Sequence, residues 1–279
     1  MFEPNCVVLL PFPEIVIKGP IVRAFMEKRL IKNMRLYFEH FNVQVDRVVN
    51  IAGRMVVHST EPEKVISSLK SCFGISVLFL SRVENYSDLN DLCVRGVELC
   101  KGHVEEGAFA VRGKSFSKAF GSKELEMEFG GKLLEAYPKL KVKLKDPVHE
   151  VFCIAFETKA YFYFAPIKGA SGMPTGVQGR AALLITKESK KTDLVALGKN
   201  LLKTGCTLAI VSDEKKIPNL DELAEFNCFK ELKTHSVKEA SEFYALEDIK
   251  AFFSTASTLT QAEMDSKLVG VKVFAPLLF

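Results

Sequence analysis

Basic side chains recur through the middle of the sequence at a spacing that suits a line of phosphates. Arg112, Lys114, Lys118, Lys123, Lys139, Lys141, Lys143 and Lys145 all fall between positions 112 and 145. Such a stripe can track a phosphodiester backbone without reading bases, because each cation releases counterions condensed on the polyanion. The competing reading is a solvated face whose lysines serve solubility, and charge alone does not choose between them. Lys18 and Arg23 flank Gly19-Pro20 and extend the candidate surface to the start of a long helix. Arg29 and Lys32, further along it, read as an ordinary polar face.

A second candidate is the run Gly172-Met173-Pro174-Thr175-Gly176-Val177-Gln178-Gly179-Arg180. Its glycines and proline exclude a regular element, so it is a loop. Gln178, Gly179 and Arg180 could line a nucleotide or an RNA backbone: Gln178 offers amide donors and an acceptor, and Arg180 a planar fork suited to phosphate. The alternative is a structural turn between domains, and the two readings stand level. Gly113-Lys114-Ser115 imitates a phosphate-binding loop, but Gly107 lies one residue too far upstream for that motif. The aromatic run Tyr161–Phe164 reads as core. Five scattered histidines and cysteines without CxxC spacing give no metal site. The carboxylate pairs Glu105-Glu106 and Glu247-Asp248 read as solvated surface, and no catalytic residue is assigned.

The elements that must position these residues follow from length and pattern. A chain of 279 residues suggests two domains, or three small ones. With 48% hydrophobic and 26% charged residues the composition is globular. No run approaches the ~18 apolar residues of a membrane span, and the start lacks the basic region of a signal peptide. Seven cysteines, mostly within apolar runs, read as reduced thiols of a cytoplasmic protein. Residues 1–205 hold 30 Lys/Arg against 22 Asp/Glu, whereas 206–279 hold 8 against 12. The front portion therefore suits an anionic partner.

Hydrophobic periodicity places strands at Val7–Leu10, Glu14–Lys18, Val43–Val49, Arg54–His58 and Val77–Val83. Helices fall at Arg23–Phe41 and Glu63–Ser71. That order predicts a ferredoxin-like α/β unit. A second unit follows, with helices at Asp88–Gly102 and Ser122–Tyr137 and Ser122 as the N-cap. Its strands are Ala108–Arg112, Lys141–Leu144, Val151–Phe156 and Ala160–Ala165. After the glycine-rich loop, apolar strands at Ala182–Ile185, Thr207–Val211 and Val271–Phe274 alternate with helices at Leu194–Lys203, Leu220–Leu232 and Val237–Phe253. This pattern predicts a small parallel α/β sheet.

Three stretches together resemble the tRNA 4-thiouridine synthases. They are Glu14-Ile15-Val16-Ile17-Lys18-Gly19 with Arg23, Phe25, Leu30 and Asn33-Met34; Phe109–Lys114 through Val142-Lys143-Leu144-Lys145-Asp146-Pro147; and Gly172–Arg180. The last is the most specific. The resemblance implies a ferredoxin-like domain over 1–84, a THUMP RNA-binding domain over 85–168, and a Rossmann-like PP-loop-type α/β domain over 169–279. It implies tRNA as partner, and ATP-driven replacement of a uridine oxygen by sulfur.

The sequence departs from that family where an SGGxDS-type loop should cradle phosphate. After Leu183-Leu184-Ile185 it reads Thr186-Lys187-Glu188-Ser189-Lys190-Lys191-Thr192-Asp193, without a glycine pair. Lysines there supply charge but not close backbone approach. The third domain also reads as shortened, without a following rhodanese-like carrier domain. The expectation is a cytoplasmic tRNA-binding protein of tRNA modification with a degenerate PP-loop, no cofactor, and a separate catalytic protein as partner. Homodimerisation stays open. The alternatives are an active synthase that binds ATP through a variant loop, and a protein-interaction scaffold.

Overall fold

The computed structural model describes residues 2–245 and 249–276. In chain order the elements begin with β1 (Cys6–Pro11), α1 (Pro13–Val16), α2 (Pro20–His40), β2 (Arg47–Ile51), β3 (Arg54–His58), α3 (Pro62–Leu69) and β4 (Ile75–Asn85). They continue with α4 (Leu89–Cys100), β5 (Glu106–Ser115), α5 (Ser122–Ala136), β6 (Lys139–Val142), β7 (His149–Ala155), β8 (Lys159–Tyr163) and β9 (Ile167–Lys168). The last group is β10 (Arg180–Leu184), α6 (Lys191–Lys203), β11 (Thr207–Val211), α7 (Glu222–Phe226), β12 (Thr234–His235), α8 (Val237–Ala245), β13 (Ile249–Phe253), α9 (Leu259–Val269) and β14 (Val273–Phe274).

By packing, the chain falls into two compact units. The first takes the residues up to Leu10, Val43–Ser67 and Val77–Lys168; the second takes Pro11–Asn42, Ser68–Ser76 and everything from Gly169 on. The first unit holds a nine-stranded sheet of order β2-β3-β1-β4-β8-β7-β5-β6, with β9 on β4. Its first four strands have the ferredoxin-like arrangement. The antiparallel pair β4–β8 joins them to the rest, from Ser81↔Tyr163 to Asn85↔Lys159. Leu92, Phe109, Leu125, Phe129, Val151 and Phe162 form the core between this sheet and helices α4 and α5. Gly96 of α4 is small because the Phe129 ring stands 2.5 Å from where a Cβ would lie. Tyr161, Phe162 and Tyr163 are buried, as the aromatic run predicts.

The second unit holds a five-stranded sheet of order β12-β11-β10-β13-β14, and every pair is parallel. Apolar runs such as Ala181–Ile185 fit strands covered on both faces. The order reverses between β11 and β13 on either side of β10, which is where open parallel sheets bind ligands, at the strand carboxyl ends.

Four local expectations differ from the structure. Of the helix expected over Leu220–Leu232 only α7 forms, because the chain turns at Cys228 and Phe229, which hold positive φ. Glu14–Lys18 is not a strand: Pro13 fixes a helical φ at the first position of α1, and Ile17 closes the turn onto the Pro13 carbonyl. The stretch expected as one helix over 237–253 is α8 followed by β13, whose apolar residues pair with β10. At α5 the cap is Gly121, whose N–H donates to the Glu124 carboxylate, while Ser122 Oγ accepts the Ser115 N–H at 2.9 Å. Glu247-Asp248 lie outside the described residues.

Candidate nucleic-acid interface

In the first unit, β5 and β6 run parallel from Glu106↔Lys139 to Phe109↔Val142, and β6 ends the sheet. Beyond β6 the backbone stays tied to β5, because the Lys143 N–H donates to Phe109 O and the Val148 N–H to Ala108 O, both at 2.9 Å. Lys141, Lys143 and Lys145 are exposed along this segment. Arg112 braces it. Its Nε donates to Glu150 Oε1 at 2.8 Å and its Nη2 to Leu144 O at 2.9 Å, so one guanidinium ties the lysine loop to β7. Two of its donors are thereby committed within the protein. The exposed Lys114 lies 5.7 Å from the centre of the Phe116 ring, which is itself half-exposed and stacks on Phe156. Lys118 and Lys123 are exposed before and in the first turn of α5. Lys139 pairs with Glu106 at 3.7 Å. Gly113-Lys114-Ser115 stays within β5, where Glu126 accepts the Gly113 N–H; it is not a loop before a helix.

Lys18 and Arg23 belong to the second unit. Lys18 is exposed between α1 and α2, and Arg23 pairs with Glu27 at 2.7 Å. The glycine-rich loop belongs there too and packs on the α6–β11 turn. The Gly176 and Gln178 N–H groups both donate to Gly205 O, and Met173 N–H to Lys203 O. A Cβ on Gly172 would meet Lys203 O at 2.5 Å, so this position accepts only glycine. Asn33 of α2 donates to Thr175 O at 3.0 Å. Arg180 opens β10, at the amino end of the parallel sheet. Gln178–Arg180 therefore stand at the sheet end opposite the strand carboxyl ends.

At the carboxyl end of β10 the Thr186–Lys190 loop closes on itself. The Thr186 N–H donates to Ser189 Oγ and the Ser189 N–H to Thr186 O, both at 3.1 Å. The Glu188 carboxyl is held below its ordinary pKa, first by a backbone N–H and then by the Thr186 hydroxyl. Lys191 pairs with Glu222 at 2.7 Å. No group of three or more His, Cys, Asp or Glu among the described residues is placed to hold a metal ion.

Two family models match the front of the chain: the ThiI ferredoxin-like domain over residues 7–78 and the THUMP domain over residues 86–165. This is a THUMP-domain protein with a ThiI-type ferredoxin-like domain. A probable tRNA sulfurtransferase of Caldanaerobacter subterraneus is 30% identical over 184 residues, 64% of this chain and 47% of that protein. One from Methanosarcina acetivorans is 25% identical over 265 residues, 91% of this chain and 63% of that protein. The chain thus spans about half the length of the first of these relatives. Among solved structures, PH1313 from Pyrococcus horikoshii superposes with a TM-score of 0.81 at 22% identity, covering 98% of this chain and 94% of the other. A 4-thiouridine synthetase, solved with RNA and bound ATP, gives 0.70 at 19%, covering 99% and 81%. At these identities both share the fold.

Within the THUMP domain, sequence reasoning missed two features. The Arg112–Glu150 brace joins residues 38 positions apart. Phe116 looks like any core aromatic in sequence, yet it presents a ring beside Lys114. The pair can stack a base and neutralise a phosphate together. Six of the seven thiols are buried and poor nucleophiles. Burial pushes Cys6, Cys93 and Cys100 up to about 12 and Cys228 to about 11, and raises Cys72 and Cys153 well above the ordinary value. A thiol that stays protonated does not carry sulfur chemistry. Cys206 alone of the seven is partly exposed.

Proposed function

We propose that the chain is a tRNA-binding protein of 4-thiouridine-type tRNA modification, without ATP-dependent catalysis of its own. The braced loop carrying Lys141, Lys143 and Lys145 carries this reading. Preordered cations spend less conformational entropy on meeting a phosphate backbone than cations on a free loop. The THUMP match and the RNA-bound structural neighbour support tRNA as the ligand. The missing catalysis is argued from the Thr186–Lys190 loop. Two of its backbone amides serve its own turn, Glu188 adds negative charge, and nothing replaces the glycines that allow close phosphate approach. A separate catalytic protein would then act on the bound tRNA. Seven unpaired thiols support a reducing compartment, the cytoplasm.

The test is fluorescence anisotropy of labelled tRNA with the full chain across a salt series, with duplex DNA of similar charge as control. Preference for tRNA that survives near-physiological salt is expected. Equal, weak binding to both that vanishes with salt would remove the reading.

A second reading, an active ATP-dependent synthase, is favoured by one observation. The parallel sheet has its switch point beside β10, and Lys187 and Lys190 stand in the loop that follows it. Calorimetry of the full chain with ATP, with and without tRNA, separates the two; heat of binding supports the synthase.

A further inference from the structure

A basic cavity of about 560 Å³ lies at the starts of β10 and β11 and runs beside β12 to His235. Its cationic wall is Arg180, Lys230 and Lys233, joined by His235; Glu231 is the one acid among its lining residues. Lys250 lies beside it, with its chain 3.1 Å from where a Cβ on Gly179 would stand.

The wall is built rather than incidental. Cys228 and Phe229 both hold positive φ, 56° each, a conformation that costs non-glycine residues of order 1 kcal/mol or more. Something must hold them there. Phe229 stacks on His40 with ring centres 3.6 Å apart and meets Tyr37 edge-on at 5.1 Å. The Tyr37 hydroxyl donates to Glu225 O at 2.6 Å, and Thr175 Oγ1 to Phe226 O at 3.4 Å. The strained turn is thus clamped to α2, and it delivers Asn227 and Lys230 to the cavity. Asn227 is buried and donates its amide to Lys230 O at 3.0 Å, while its Oδ1 has no hydrogen-bond partner. A buried acceptor left unmatched calls for a donor.

We infer that this cavity is a second RNA contact, in which Arg180, Lys230 and Lys233 hold a backbone phosphate and Asn227 Oδ1 accepts from a ribose hydroxyl. Cations beside an unmatched acceptor fit a ribonucleotide unit, because phosphate supplies the charge and the 2′-hydroxyl the donor. The inference rests on the reading of the chain as a tRNA-binding protein.

The experiment measures tRNA affinity of the full chain against salt for wild type, Lys230→Ala/Lys233→Ala, and a control pair, Lys215→Ala/Lys216→Ala. All four lysines are exposed, so folding is not at stake. The cavity pair should lose about tenfold in affinity and flatten the log–log salt slope by about 1 to 2, with the control pair near wild type. Wild-type binding with an unchanged cavity pair, or with an equal loss in both pairs, would overturn the site and leave tRNA binding standing. A wild type that does not bind tRNA would overturn both. In a third arm, adenosine monophosphate is titrated by calorimetry into wild type and the cavity pair. Binding that depends on Lys230 and Lys233, together with unchanged tRNA affinity, would assign the cavity to a free nucleotide and overturn the RNA assignment.

Discussion

Two loops of this protein each carry three lysines, and they make opposite use of them. In the first unit Lys141, Lys143 and Lys145 stand on a segment whose Lys143 and Val148 N–H groups are tied to β5 and whose carbonyl at Leu144 is tied to Arg112. Neighbours anchor this backbone, and the three lysines are exposed. In the second unit Lys187, Lys190 and Lys191 stand where a parallel sheet offers its ligand site. There the loop spends the Thr186 and Ser189 amides on itself, and Lys191 on Glu222. Equal charge does not make equal sites. What differs is whether backbone order is supplied from outside the loop or consumed inside it.

The largest expected effect tests this contrast directly. Replacing Lys141, Lys143 and Lys145 together by Ala should weaken tRNA binding roughly 100-fold at low salt and lower the salt slope by about 2 to 3. The matching triple at Lys187, Lys190 and Lys191 should cost less than about threefold. Equal losses in anisotropy would erase the distinction. Next comes the glycine-rich loop. Gly205 has φ +97°, and a Cβ there would meet Val177 Cγ2 at 2.7 Å. Gly205→Ala should cost about 1–3 kcal/mol in urea denaturation. An unchanged midpoint would mean that the loop is not a lock.

A smaller effect is expected from the brace. Arg112→Lys keeps the charge but loses the fork, so it should behave like Arg112→Ala, with tRNA affinity down about tenfold. Hydrogen exchange at the Lys143 amide should quicken in both. Full affinity in the lysine variant would make Arg112 a simple phosphate contact.

The smallest effect is alkaline. The buried thiols ionise later in the folded chain than in the unfolded one. Their contribution is therefore complete below about pH 9 and declines as pH rises toward about 12 for Cys6, Cys93 and Cys100. Four of the six raised thiols (Cys6, Cys93, Cys100 and Cys153) sit in the first unit. That unit should lose more protection from hydrogen exchange between pH 8 and pH 10. In the native state a thiol reagent should label Cys206 quickly and the other six slowly.

Much of this architecture was legible in the sequence, because period-2 and period-3.6 patterns survive wherever one face is buried. The order of β1 to β4 with α2 and α3 follows from them, and so does the alternation that builds the parallel sheet. Pattern failed where one residue overrode it, as Pro13 did at α1, and where a short apolar run fits either state, as at Ile249–Phe253. The lysines of the candidate interface were legible as charges. Their support was not, because Glu150 and Leu144 lie 38 and 32 positions from Arg112. The turn at Cys228-Phe229 was illegible for a different reason. Neither residue type favours positive φ, and the rings of Tyr37 and His40 with the hydrogen bonds from Tyr37 and Thr175 make it tolerable.

Helix α2 lies near the start of the chain but packs within the unit completed by residues from Gly169 onward. This sets an order for synthesis. When α2 leaves the ribosome, the partners of Asn33, Tyr37 and His40 at Thr175, Glu225 and Phe229 have not been translated. At 5–20 residues per second, roughly 7 to 40 seconds pass before the glycine-rich loop and α7 emerge. Through that interval the nascent helix must keep its apolar side from straying, until the late loop and turn close over it.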